Sequence, residues 1–185
     1  MIESPTSRPV AGIFWMLITG VCFVAVTALV KYLGPRIPAP EQAFLRYLMG
    51  LVFLLPMARA ILNARLSRRQ WRLFGLRGVL HGGGVMLWFF AMTRIPIAEV
   101  TAMNYLSPVY VTIGAMLFLG EKVAVRRFAA VGMALVGAAI ILRPGFREIS
   151  PGHVAMLLAA VVFGGSYLLG KVLADESDPV VVVTM

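Results

Sequence analysis

Long runs of apolar side chains, separated by short segments that hold most of the charges, are the main pattern of this chain. A helix needs about 20 apolar residues to cross a hydrocarbon core of about 30 Å. Six runs meet or approach this length, and each is predicted to be a membrane helix: Gly12–Leu33, Glu41–Ala60, Leu73–Thr93, Ala98–Leu119, Phe128–Leu142 and Gly152–Leu173. The runs are continuous, whereas the strands of a membrane barrel alternate apolar and polar residues. The pattern therefore predicts an all-α, polytopic membrane helix bundle.

The composition of the chain agrees with a membrane protein and not with a soluble one. Apolar residues make up 60% of the 185 positions and charged residues 14%, against about 45–50% and about 25% in soluble domains. A single core facing water could not cover so much apolar surface. The one cysteine, Cys22, lies inside an apolar run, so neither a disulfide framework nor a cysteine metal site is expected.

The basic residues of the chain predict its orientation in the membrane. They number 17 against 8 acidic residues, which gives a net charge of +9. If the N-terminus is inside, ten of them fall in cytoplasmic segments, five in external segments and two within predicted helices. The positive-inside rule then predicts a multi-pass protein of the cytoplasmic (inner) membrane with a cytoplasmic N-terminus. The basic charge is accounted for by topology and contact with the lipid bilayer, so no nucleic-acid partner is expected.

Two of the predicted helices resemble each other. A shift of 140 residues lays Gly12–Leu33 on Gly152–Leu173, and eight of the 22 positions are then identical, including Phe23 with Phe163 and Lys31 with Lys171. Apolar composition alone could explain part of this match, but less readily the shared glycine start and lysine end. Five predicted helices separate the two starting points, so the second copy would enter the membrane in the opposite direction. Inverted repeats of this kind are a recurrent architecture of secondary transporters, with the substrate site between the halves.

The repeat predicts how the chain is divided into domains. We expect a cytoplasmic tail at residues 1–11, a first five-helix repeat at 12–145, and the start of an inverted second repeat at 152–185. The last apolar run, Val180–Met185, is too short to cross a bilayer. The second repeat is therefore expected to be incomplete in this chain.

Several short motifs, in a fixed order along the chain, carry a family resemblance. They are Phe44–Arg46, the basic loop Leu66–Trp71, Ile97–Glu99, Leu106–Val109, Leu119–Glu121, and Gly137 with Ile141–Gly145. In their order and spacing the chain resembles the EamA-type transporters of the drug/metabolite transporter superfamily. The resemblance implies a ten-helix carrier of two inverted five-helix repeats, which moves small metabolites, amino acids, vitamins or drugs across the cytoplasmic membrane.

Residues of the fourth predicted helix could form a wall of a substrate cavity. Pro108 has no backbone N–H and frees a carbonyl group one turn earlier. Membrane helices tolerate such a break where it is buried in protein or lines a cavity. Asn104 and Ser107 lie beside the break and could hydrogen-bond a polar solute. The alternative is that Asn104 bonds a neighbouring helix and Pro108 only bends its own.

Two other helices supply further candidates for contact with a solute. Trp88, in the third predicted helix, could stack on a flat solute or simply fill the core. Ser166 and Tyr167, in the sixth, could line the opposite wall of the cavity. For these two residues the alternative is ordinary hydrogen bonding between helices.

Three ionisable residues are candidates for coupling or gating. His81 lies inside the third predicted helix, where ionisable groups are rare, and it could carry a proton near neutral pH or stay neutral on a carbonyl. Glu99 is either a gate or proton site, or a carboxylate favoured by its helix N-terminus and paired with Arg94. Arg46 either attracts anionic groups or pairs across helices.

Together these features predict a secondary transporter of a small organic metabolite that works by alternating access. Gly165–Lys171 imitates a phosphate-binding loop, but Val172 replaces the Ser or Thr that would hold Mg²⁺. We expect a small-molecule solute and a coupling proton or ion as partners, allow for a homodimer, and expect no metal and no cofactor. The alternatives are a non-transporting membrane subunit or scaffold and, with less support because the acids are scattered, a lipid-modifying enzyme.

Overall fold

The computed structural model describes residues 9–34, 36–57, 63–64, 66–121, 124–142 and 149–184, and these are helical almost throughout. The tail at residues 1–8 and the segment 143–148, which holds the end of the predicted first repeat, lie outside the described residues. The helices are α1 (Pro9–Leu33), α2 (Ala39–Leu54), α3 (Arg68–Met92), α4 (Ile97–Asn104), α5 (Ser107–Leu119), α6 (Val125–Leu142), α7 (Pro151–Glu176) and α8 (Pro179–Thr184). The predicted all-α helix bundle is confirmed.

Among the described residues, four helical stretches are long and apolar enough to cross a membrane: Gly12–Leu33, Arg68–Met92, Ile97–Leu119 and Pro151–Glu176. They correspond to the first, third, fourth and sixth predicted spans, and the third begins five residues earlier than predicted. The second prediction differs from the structure, because α2 ends at Leu54 and a single 3-10 turn with Pro56 at its centre follows. The last predicted residues, 58–60, lie outside the described residues. Its 16 residues measure about 24 Å along the axis. The fifth prediction was too short at its start, since α6 begins at Val125 and has 18 residues.

The fourth predicted helix is broken in two. The helix α4 ends at Asn104, α5 begins at Ser107, and Tyr105 and Leu106 form the turn between them. Because Pro108 has no N–H to give to the carbonyl group of Asn104, the regular ladder is interrupted one turn before the proline. The break therefore follows from the predicted proline effect, but it lies upstream of Pro108 itself.

The core of the bundle lies between α7 and the helices α3, α4 and α5. Its buried members include Val85, Phe89 and Met92 of α3, Val100 and Met103 of α4, and Met156, Ala159 and Phe163 of α7. Small residues allow the close approach: an added Cβ at Gly164 would lie 2.7 Å from the Cβ of Tyr110. In contrast, α1 and most of α2 expose large apolar side chains, as expected of helices that face lipid or further membrane helices.

Polar contacts show which helix ends lie together. At one end of the bundle, the Nζ of Lys31 donates hydrogen bonds to the carbonyl oxygens of Met92 (2.7 Å) and Ile95 (3.0 Å). Glu99 and His153 meet at this end as well, since Gly152 packs against Ile95. Lys171, at the far end of α7, instead forms an ion pair with Glu121, which follows α5. The end of α1 and the start of α7 therefore share one end of the bundle, and Lys31 and Lys171 lie at opposite ends.

Candidate functional site

A partly open cavity of about 70 Å³ lies where α1, α2, α3, α4 and α7 converge. Its lining residues are Phe23, Arg46, His81, Val85, Trp88, Asn104, Phe163 and Tyr167. Five of the nine site residues predicted from the sequence are among them, and they come from four different helices. The structure thus brings together Arg46, His81, Trp88, Asn104 and Tyr167 around one space.

The walls of this cavity include two stacked aromatic pairs. The ring of Phe23 in α1 stacks on Trp88 in α3, with 5.4 Å between centroids and 17° between planes. Phe163 and Tyr167, one turn apart in α7, stack with 6.0 Å between centroids and 16° between planes. Their rings offer flat apolar surfaces of the kind on which another planar ring can stack in an offset arrangement.

Two nitrogen-bearing side chains stand among these rings. The guanidinium carbon of Arg46 lies 5.9 Å from the ring centroids of both Trp88 and Phe89, within the range of a cation–π contact. The imidazole of His81 lies 5.4 Å from the centroid of Phe163 and 6.4 Å from that of Tyr167. The lining thus combines aromatic surfaces with polar groups in about equal measure. Convergent polar groups of this kind orient a ligand in small-molecule sites.

Four predicted site residues lie outside the lining of this cavity, and three of them belong to α5 and α7. Ser107 is 2% exposed and its hydroxyl has no hydrogen-bond partner among the described residues. Ser166 is buried and donates to the carbonyl oxygen of Arg77 at 3.4 Å. Pro108 is exposed on the surface of α5. The α4–α5 break thus places Asn104, and not Ser107 or Pro108, at the cavity.

Glu99 occupies a separate polar cluster at the end of the bundle that also holds Lys31. Its carboxylate is buried and lies 2.9 Å from the Nε2 of His153 in α7. Arg94, the partner that the sequence allowed for it, places its guanidinium over the ring of Phe90, 3.6 Å from the centroid. The contact between Glu99 and His153 was not predicted, because only the folded bundle brings the starts of α4 and α7 together.

The opposite end of the bundle holds exposed ion pairs. Arg69 at the start of α3 contacts Glu176 at the end of α7, with 2.5 Å between Nη1 and Oε2. The hydrogen bond from Lys171 holds the pKa of Glu121 below its usual range, and the nearby charges of Lys171 and Arg127 act in the same direction. These pairs connect the end of α7 to the start of α3 and to Glu121, which lies just after α5.

The sequence analysis did not single out Phe23 and Phe163 as site residues. The signal was nevertheless present, because the two residues occupy the same position in the 140-residue repeat. Both line the cavity. Within the described residues, no group of three or more His, Cys, Asp or Glu side chains is arranged to hold a metal ion.

Known proteins similar to this chain are named as transporters of small molecules. A riboflavin transporter of Rhizobium johnstonii is 32% identical over 176 residues, which are 94% of this chain and 58% of the relative. An S-adenosylmethionine uptake transporter of Rickettsia prowazekii is 26% identical over 160 residues, covering 86% of this chain and 54% of the relative. The pseudopaline exporter CntI of Pseudomonas aeruginosa is 27% identical over 157 residues, covering 84% and 55%.

The chain thus spans somewhat more than half the length of these relatives. No solved structure matches it. The profile of the EamA-like transporter family matches residues 10–143, which include α1 to α6 and most of the cavity lining. This chain belongs to the EamA-like transporter family.

Proposed function

We propose that this chain is part of a secondary carrier that moves a small, flat organic solute across the cytoplasmic membrane by alternating access. The observation that carries the proposal is the cavity between the stacked pairs Phe23–Trp88 and Phe163–Tyr167. One pair includes a residue of α1 and the other lies in α7, so the cavity is on the boundary between the two repeat-related helices. Such a boundary is where inverted-repeat carriers bind their substrates.

The chemistry of the lining favours a solute with a planar ring and an electron-rich polar group. The aromatic pairs offer stacking surfaces, and the positive charge of Arg46 lies among them. Asn104, at the end of α4, can donate and accept hydrogen bonds to carbonyl or amide groups. Two relatives are named as transporters of riboflavin and of S-adenosylmethionine, compounds that each contain a flat heterocyclic ring, which supports this substrate class.

The residues outside the cavity have supporting roles in this proposal. Pro108 shapes the wall by interrupting the helix after Asn104. Buried Ser166 holds α7 to α3 through the carbonyl group of Arg77, and Ser107 lies at the break where α5 meets α7. The cavity is built within one chain, so the proposal does not require a homodimer.

The arrangement of helix ends supports alternating access. We propose a first repeat at 12–145 and an inverted second repeat that begins at 152, with the N-terminus cytoplasmic. Polar contacts tie α7 to the first repeat at both ends, through Glu99 and His153 at one end and Glu121 and Lys171 at the other. A carrier of this kind would open one end at a time while the contacts at the other end persist.

Uptake into proteoliposomes tests the proposal. The reconstituted protein is given riboflavin, S-adenosylmethionine and non-aromatic amino acids of similar charge, and Trp88→Leu and Phe163→Leu are compared with it. We expect uptake of at least one flat solute and a loss of about fivefold in each variant, as a lost aromatic contact of about 1 kcal/mol implies. Trp15→Leu is the matched control, because Trp15 is exposed on α1. The proposal is wrong if no flat solute is transported, or if both cavity variants transport it like the parent.

A further inference from the structure

A second cavity adjoins the cavity of the candidate site (the first cavity), and His81 lines both. The second cavity has a volume of about 410 Å³. It is lined by Tyr47, Leu51 and Leu54 of α2, Arg77 and His81 of α3, and Val183 of α8. Arg46 and Tyr47, which are neighbours in α2, line the first and the second cavity respectively. The two spaces therefore lie side by side along α2 and α3.

The first cavity is too small to enclose a whole flat solute. A cavity of about 150 Å³ holds one benzene molecule, whereas the first cavity measures about 70 Å³ and is partly open. A bound solute must therefore extend into a neighbouring space. A groove between α1 and α2 also meets the first cavity at Arg46, but apart from Arg46 and Gln42 its lining is apolar. The second cavity is the neighbouring space that offers further polar groups.

Arg77 places a positive charge at the second cavity. Its side chain is half-buried in the third turn of α3. Its Nη1 donates a hydrogen bond to the carbonyl oxygen of Val182 at 2.7 Å. Gly170 of α7 leaves room beside it, since an added Cβ there would lie 3.3 Å from the Nε of Arg77. A guanidinium has five N–H donors in a planar fork, so the bond to Val182 leaves donors for another acceptor.

The two arginines at these cavities have no carboxylate partner in the part of the chain that the structure describes. Neither Arg46 nor Arg77 forms an ion pair there, and no Asp or Glu of that part lines either cavity. The acids Glu99, Glu121 and Glu176 form their ion pairs at the two ends of the bundle. Charged residues within membrane helices usually pair with one another or mark the path of a charged solute. These two positive charges therefore favour a solute that carries a negative charge.

We infer that the second cavity is a subsite for an anionic group of the solute, a carboxylate or a phosphate, which Arg77 binds. The flat part of the same solute contacts the aromatic pairs of the first cavity. This inference rests on the proposed function and narrows its substrate class to flat solutes with an acidic substituent. The planar fork of Arg77 can hold two oxygens of either acid group at once. His81, at the boundary of the two spaces, can hydrogen-bond the part of the solute that joins ring and acid.

Matched pairs of solutes test the subsite through binding alone. Riboflavin is compared with riboflavin 5′-phosphate, and nicotinamide with nicotinate, because the members of each pair share a ring and differ in the acid group. Equilibrium dialysis against the protein in nanodiscs of zwitterionic lipid gives the four Kd values near neutral pH. We expect at least one anionic member to bind about tenfold or more tightly than its uncharged partner, as a hydrogen bond to a charged group implies. The pair that shows the preference identifies the acid group.

Variants of α3 test whether Arg77 holds the anion. Arg77→Gln should abolish the preference and leave the affinity for riboflavin and nicotinamide unchanged, which also shows that the variant is folded. Arg77→Lys keeps the positive charge and should retain part of the preference. Arg72→Gln is the matched control, because Arg72 is an exposed arginine of α3 that lines neither cavity. It should bind all four compounds like the parent.

Equal affinity of the parent for both members of each pair, or binding of none of the four compounds, would overturn the subsite. A preference that persists in Arg77→Gln would also overturn it, and its loss in Arg46→Gln would then place the anion in the first cavity. Uptake into proteoliposomes decides separately on the carrier. An anionic solute that binds through Arg77 and is not transported would contradict the proposed function and leave the subsite in place.

Discussion

Phe23 and Phe163, which occupy the same position in the two repeat-related helices, line one cavity and each stack on another aromatic ring. Phe23 stacks on Trp88 of α3, whereas Phe163 stacks on Tyr167 of its own helix. The same residue type therefore reaches one space from two helices that run in opposite directions. In the carrier that we propose, a solute between these rings would contact both of these helices at once.

The close approach of α5 and α7 depends on Gly164. An added Cβ there would lie 2.7 Å from the Cβ of Tyr110, an atom fixed to the backbone, so the two helices would have to separate. We expect Gly164→Ala to destabilise the protein by about 1–3 kcal/mol, as overpacking usually does. Thermal unfolding in detergent micelles measures this as a lower Tm.

The neighbouring glycine provides the control for this prediction. At Gly165 the nearest atom to an added Cβ is the Cδ1 of Leu80 at 3.4 Å, which is ordinary contact with a flexible side chain. Gly165→Ala should therefore unfold close to the parent temperature. Equal stability of the two variants would show that α5 and α7 do not pack as closely as described.

The ion pair between Glu121 and Lys171 predicts a pH dependence of stability. The hydrogen bond from Lys171 lowers the pKa of Glu121 in the folded protein. The carboxylate therefore contributes stability above the pKa of an unfolded glutamate, about 4.3, and loses this contribution as the pH falls through the folded value. Glu121→Gln should have a lower Tm than the parent near neutral pH, and the difference should vanish in strong acid.

The expected effect is small because the pair is partly exposed to solvent. Each single variant removes the same contact. The double variant Glu121→Gln with Lys171→Gln should therefore lose no more stability than the two single variants lose when their losses are added. Thermal unfolding of all four forms across the acidic range measures this. A Tm difference that persists unchanged in strong acid would contradict the assignment.

The opposite placement of Lys31 and Lys171 predicts the result of surface labelling. Arg36 and Asp175 are exposed positions just beyond these lysines. In a Cys22→Ser background, a membrane-impermeant thiol reagent should label Arg36→Cys in intact cells, and Asp175→Cys only after the membrane is opened. The contacts at the two bundle ends place these positions at opposite ends of the bundle. The positive-inside rule predicts which of the two ends is external. Labelling of both from the same side would contradict the inverted repeat.

Much of the fold was predictable because continuous apolar runs leave few alternatives in a membrane. The extents of the spans that contain Phe23, Trp88 and Phe163 followed from this pattern. The early end of α2 was missed, because apolar residues continue past Leu54 and only the backbone shows that the α-helix stops there. A break caused by Pro108 was predicted, but its position was not, because it depends on how α4 and α5 pack against α7.

The site was predictable to the extent that polar residues in apolar helices are few. Arg46, His81, Trp88, Asn104 and Tyr167 were each conspicuous for this reason, and the fold gathers them. The pair of Glu99 and His153 was not predictable in the same way, because the two residues are 54 positions apart. Aromatic residues such as Phe163 are common in membrane helices, so composition does not distinguish a cavity wall from lipid contact.

The most direct test of the central claim is solute protection of cysteines placed in the cavity on both repeat-related helices. Phe23→Cys and Tyr167→Cys are made in the Cys22→Ser background, with Arg36→Cys, at an exposed position just beyond α1, as the control. A water-soluble thiol reagent should react at all three positions. A transported flat solute at about ten times its Kd should slow the reactions at positions 23 and 167 about tenfold and leave position 36 unaffected. Unchanged rates at both cavity positions in the presence of the solute would contradict the account.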